Sequence, residues 1–115
     1  MDPDERARLE ADFDRRMLQL YEDAAREKYF ATAFLTMVHE RRGLATAQHC
    51  LAAQTDGFTR LWEMGRLDLS VEFVVLQPRW RPLFTPAELD QARNRLTDAG
   101  AADLAARAEQ MEMEP

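Results

Sequence analysis

Residues 56–84 read DGFTRLWEMGRLDLSVEFVVLQPRWRPLF and hold both tryptophans, three of the six phenylalanines and the densest apolar run of the chain. Within it Leu67, Leu69, Val71, Phe73 and Val75 alternate, which is the pattern of a half-buried strand. Val and Phe also favour strands. A strand, however, needs partners for its N–H and C=O groups, and no second strand pattern occurs elsewhere in the chain. Taken instead as a helix over about Leu69 to Gln77, the run is apolar on nearly every face, with only Ser70 and Glu72 as exceptions. A helix of that kind sits in the middle of a bundle. Pro78 stops it, because proline lacks a donor and turns the residue before it away from the α conformation. The expectation is therefore an all-α chain, an irregular bundle of about five to seven helices.

Working outward, the N-terminus Asp2-Pro3-Asp4-Glu5 is a helix start, with Asp2 as cap and Pro3 in the first helical position. Leu9, Phe13, Met17, Leu20 and Ala24 then form one apolar stripe on a long amphipathic helix. Near Lys28 and Tyr29 the stripe widens to Phe30, Ala31, Phe34, Leu35 and Val38. The pattern leaves open whether residues 4–42 make one bent helix or two. Arg41 and Arg42 suit a helix C-terminus, and Gly43 suits the left-handed position after it. Phe58, Leu61 and Trp62 predict a short helix that Gly65 ends. Thr85-Pro86-Ala87-Glu88 carries a complete capping box, with Phe84 and Leu89 placed as a hydrophobic staple. Gly100 ends that helix. Residues 1–100 read as one helical domain, and residues 101–115 as a marginal acidic helix or tail.

The chain has 115 residues and a net charge of −6. Residues 1–40 carry −4, residues 41–95 carry +2 and residues 96–115 carry −4. An acidic total disfavours nonspecific nucleic-acid binding, which works by neutralising phosphates, though a local basic patch is compatible with it. One cysteine, Cys50, rules out an intramolecular disulfide framework. No apolar run approaches the roughly 20 residues that span a membrane, and the charged start MDPDERARLE is unlike a secretory signal. A cytoplasmic location without a membrane partner is expected.

The string Gly57-Phe58, Leu61, Gly65-Arg66-Leu67-Asp68-Leu69, Val71-Glu72, Leu83-Phe84-Thr85, Glu88-Leu89 and Ala92-Arg93 resembles a group of short bacterial all-helical proteins of unknown function. Tyr29, Phe34, Met37 and Gly43 match its upstream half, so the resemblance covers most of the chain, residues 21–96. It implies a small helical domain and a bacterial source, and it carries no activity.

Candidate sites are few. His39, His49, Glu40 and Cys50 include no HxxxH or CxxC spacing, so no metal ligand set and no cofactor are expected. His49 cannot simply serve Cys50 as a base, since neighbours on a helix point about 100° apart. A lone cysteine usually acts as a small hydrophobe. Glu63 and Glu72 are the conceivable acid–base pair, but a carboxylate inside an apolar run must be paired, hydrogen-bonded or neutral. An arginine such as Arg66, or a neighbouring helix N-terminus, is the expected partner of Glu72. Ala52 to Arg66 matches a helix-turn-helix only weakly, because Glu63 falls where an apolar residue should stand. Arg79, Trp80 and Arg81 can cover the core, dock a partner or stack on a base, in that order of expectation. Together with Trp62 they form the candidate partner-binding set.

These readings converge on a non-enzymatic helical interaction module, an accessory subunit of a bacterial complex with a protein partner, and self-association is compatible with it. One alternative is a nucleic-acid-associated regulator using Arg79–Arg81 with Arg41 and Arg42. The other is a small enzyme using Glu72 or His39. No catalytic residue is assigned.

Overall fold

The computed structural model describes residues 1–53 and 55–112. Among them are six α-helices and two 3-10 turns, and no strand. The α-helices are α1 (Pro3–Arg26), α2 (Thr32–Ala52), α3 (Asp56–Glu63), α4 (Val71–Val75), α5 (Pro86–Asp98) and α6 (Ala102–Glu109). The 3-10 turns are Leu67–Leu69 and Arg81–Leu83. The Cα radius of gyration is 13.3 Å, the value of about 13 Å expected for a compact chain of this length.

The stretch 56–84 is helical, as its lack of a strand partner requires. The central helix α4 is shorter than the sequence pattern implies. Ser70 caps it by accepting the Phe73 N–H at 3.2 Å, and every residue from Leu69 to Leu76 is buried, Glu72 included. Because one turn of helix has no solvent face here, its hydrophobic pattern cannot show a period. That is why it can be read equally well as an alternating strand.

α1 is capped as its sequence demands, with Asp2 Oδ1 accepting the Glu5 N–H at 2.8 Å. Phe13, Met17, Leu20 and Ala24 are its buried stripe. The helix ends at Arg26, so residues 4–42 form two helices. Lys28 takes the left-handed conformation, φ 67°, and the Tyr29 N–H reaches back to the Ala24 carbonyl at 3.0 Å. Gly65 and Gly100 close α3 and α5 in the same way, with φ 69° and 83° and back-bonds of 2.8 Å from Arg66 to Leu61 and from Ala101 to Leu96. These are C-terminal caps in which one left-handed residue lets the chain satisfy the last carbonyls.

α2 returns antiparallel to α1 and kinks at Arg42, φ 71° and ψ 173°. The expected left-handed residue at this point was Gly43; the structure puts the positive φ on Arg42 instead. Gly43 serves close packing: a Cβ there would meet the Asp14 Cα at 3.1 Å. Asp14 holds the kink together. Its carboxylate accepts the Gly43 N–H at 2.7 Å and two bonds from the Arg42 guanidinium at 2.6 and 3.0 Å. Strain at a non-glycine residue, of order 1–3 kcal/mol, persists where the surroundings over-determine it, and this clamp does so.

α5 begins with the full capping box, Thr85 Oγ1 accepting from the Glu88 N–H at 3.2 Å and Glu88 Oε1 from the Thr85 N–H at 2.9 Å. Thr85→Ala is expected to lower stability by about 1 kcal/mol through the lost cap. A urea unfolding curve with an unchanged midpoint would count against it. α6 packs Ala105 and Ala108 into the core, where small side chains let the helix approach closely, and Glu109 accepts from Arg93 at 2.7 Å. Residues 113–115 of the expected tail lie outside the described residues.

Candidate functional site

Two hollows and the wall between them contain most of the chemistry. The first, about 480 Å³, opens between the C-terminal end of α1, the first half of α2, α3 and α4. Phe30, Ala31 and Phe34 of the widened apolar face predicted for residues 30–38 line it, and most of that face is not fully buried. Of that set only Val38 is buried, Phe30 is 60% exposed, and Phe34 is partly buried and lines the hollow with Met37. Tyr21, Tyr29 and Phe58 complete an aromatic lining, and Asp56 stands among the wall residues on α3. Gly57 lies where the Tyr29 hydroxyl approaches α3, and a Cβ there would sit 3.2 Å from that oxygen, a tight contact that the side chain would have to relieve. Burial pushes the Tyr29 phenol above its ordinary range, so it stays protonated at neutral pH.

Glu72 and Cys50 also line this hollow. Glu72 is 3% exposed, and its partner is an arginine, as expected, but Arg95 rather than Arg66. Arg95 Nη1 donates to Glu72 Oε2 at 2.7 Å and to the Cys50 carbonyl at 2.7 Å, while Nη2 donates to the Leu51 carbonyl at 3.0 Å. Cys50 and Leu51 lie in the last turn of α2, where carbonyls lack helical partners. One guanidinium therefore ends α2 and neutralises the acid on α4, linking α2, α4 and α5. Burial, opposed by the bond from Arg95, raises the Glu72 carboxyl above its usual range. Arg66 is committed elsewhere: it bonds Asp68 at 3.0 Å and pairs with Glu27. The Glu72 carboxylate is bound to Arg95, and Glu63 is exposed on another helix. The Cys50 thiol is pushed up to about 11, first by burial and then by the nearby Glu72 charge, which leaves little thiolate at neutral pH. His39 and His49 are both exposed. Among the described residues no three His, Cys, Asp or Glu side chains gather as a metal set.

The second hollow, about 760 Å³, lies on the far side of the Glu72–Arg95 wall, between α3 and α5. Trp62 stands at its edge, 54% exposed, with Nε1 donating to the Ala99 carbonyl at 3.1 Å. The bond fixes the indole on the surface. Thr59, Gln91, Asn94 and Asp98 form a polar surround.

The structure corrects the candidate partner-binding set at Trp80. Trp80 is 4% exposed and meets Phe13 edge to face at 5.3 Å, while Phe13 meets Phe84 at 5.6 Å. The indole has no free face for a partner or a base. Arg79 covers it at 4.5 Å and donates to Asp12 at 3.0 Å, so the indole is packed as core cover, the first expectation, requires, while the Arg79 guanidinium is paired and Arg81 is half-buried. Arg42 is held by Asp14. Two of the arginines on which a phosphate-binding surface was to rest thus sit beside carboxylates that would repel phosphate. No helix among the described residues is long and apolar enough to cross a membrane. Comparison with protein-family models, with curated proteins and with solved structures finds no match.

Proposed function

We propose that this chain is a non-enzymatic helical interaction module, a cytoplasmic accessory subunit of a bacterial complex, and that it grips a protein partner at Trp62. The observation that carries this reading is the exposed, hydrogen-bonded indole at the edge of a polar-rimmed hollow. Tryptophan dominates interface hot spots, with polar groups around it excluding water. A side chain already held in one orientation loses little freedom on binding. The engagement of Glu72 by Arg95 supports the non-enzymatic part of the reading.

Affinity purification with the full chain as bait, followed by identification of the retained protein, supplies the partner. Trp62→Ala is then expected to weaken that purified complex by at least about 2 kcal/mol, the scale of a hot spot. Its own stability should fall by no more than about 1 kcal/mol, one exposed hydrogen bond. Retention of full affinity by the variant would overturn the reading. Binding to DNA that weakens steeply with salt would replace it with the nucleic-acid alternative.

A further inference from the structure

We propose that the hollow between α1, α2 and α3 binds a small apolar organic cation, an alkylated ammonium, against its aromatic wall. This goes beyond the Trp62 surface and does not depend on it. Both tyrosines of the chain, Tyr21 and Tyr29, and three of its six phenylalanines, Phe30, Phe34 and Phe58, converge on this one space. Phe58 belongs to the core and Tyr29 and Phe34 pack against it, while all but Phe58 keep at least partial exposure toward solvent. The volume, about 480 Å³, falls in the range of about 300–1,000 Å³ typical of small-molecule sites.

Charge selects the ligand. The wall residues include two carboxylates, Asp56 and Glu72, and no lysine, arginine or histidine. Glu72 is neutralised from behind by Arg95, which stands 6.0 Å from the Phe58 ring centroid and is bound to three oxygens. Asp56 enters no ion pair among the described residues and is exposed. Its charge is unpaired on the wall, while Arg60, four residues on and outside the lining, also acts on the Tyr29 phenol. Aromatic faces carry negative quadrupole density and attract a cation more strongly as it loses water. An alkylated ammonium also covers its charge with methyl groups and so fits apolar walls. A carboxylate ligand would find like charge at the mouth and no counter-cation within.

An isosteric series tests this on the intact wild-type chain. Choline carries the cation, dimethylbutanol has carbon in place of the nitrogen, and dimethylbutanoate puts a negative charge on the same shape. Titrations at millimolar concentration, followed by amide NMR shifts, should move the signals of Tyr29, Phe34, Gly57 and Phe58. Choline should bind about tenfold more tightly than the alcohol, the discrimination expected of a partly desolvated cation on aromatic faces, and the butanoate should bind most weakly. Asp56→Asn should lower choline affinity severalfold and leave the alcohol unchanged, with a melting temperature lowered by no more than a few degrees, the scale of one acidic residue in a first helical turn. Equal binding of choline and the alcohol, choline shifts confined to other surfaces, or no shifts at all would overturn the proposal. The Trp62 reading would stand untouched by any of these results.

Discussion

Arg95→Ala is expected to destabilise the fold by about 3–5 kcal/mol, the cost of leaving one member of a buried ion pair without the other. Three acceptors lose their donor at once: Glu72 Oε2 and the carbonyls of Cys50 and Leu51. The Glu72 side chain is almost inaccessible to water, so solvent cannot replace the guanidinium without opening the core. The loss should depend on pH with a definite sign. Burial already raises the Glu72 carboxyl above its ordinary value, and removing Arg95 removes the group that opposes this. A carboxyl whose folded pKa exceeds its unfolded value binds more protons when folded. Its contribution to stability is thus fully present below the unfolded pKa and is lost as pH rises through the folded one. The variant should therefore close part of its gap to the wild type as pH falls from neutrality toward the ordinary glutamate range. Replacing both residues by leucine should cost less than Arg95→Ala alone, since no charge is then left buried. Urea midpoints at two pH values decide the matter. A gap that is small, or that widens on acidification, would mean that Glu72 has another partner.

Trp80→Ala should cost a similar amount, about 3–5 kcal/mol, as expected for emptying a large buried aromatic site. The indole is 4% exposed and supplies one face of the edge-to-face chain Phe13–Trp80 and Phe13–Phe84. Such contacts add about 0.5–1.5 kcal/mol beyond area burial, and Phe13, wholly buried, would keep only Phe84 as an aromatic partner. Arg79, which lies over the indole and reaches Asp12, would be left above a void. The contrast with Trp62→Ala is the informative part. Both are tryptophan truncations, yet the first should lower stability severely and the second mainly affinity. Equal stability losses would show that exposure in the folded state does not separate the two roles.

Features that need only a few neighbouring residues were legible in the sequence. Asp2 and Thr85 cap their helices because a short polar side chain three residues from a free N–H has its acceptor within reach. Gly65 and Gly100 end theirs because only residues that tolerate positive φ can stand there. The all-helical class followed from periodicity, from the caps, and from the want of any second strand to pair with residues 67–76.

What the tertiary structure decided are the pairings between distant residues and the side of the surface on which each aromatic falls. Arg95 reaches Glu72 across 23 positions and Arg42 reaches Asp14 across 28, and no local pattern marks which arginine meets which acid. Arg66, nearer in sequence to Glu72, binds Asp68 and Glu27. The two tryptophans make the same point. Trp80, flanked by arginines, is core, while Trp62, on an amphipathic helix beside Leu61, is exposed. A side chain's fate depends on what packs over it, and for Trp80 that is Phe13, which lies in α1. The hollow beside Phe34 was hidden for the same reason. An apolar helix face reads identically whether its facing helix closes on it or stands back, and only the placement of α3 against α2 leaves that space open.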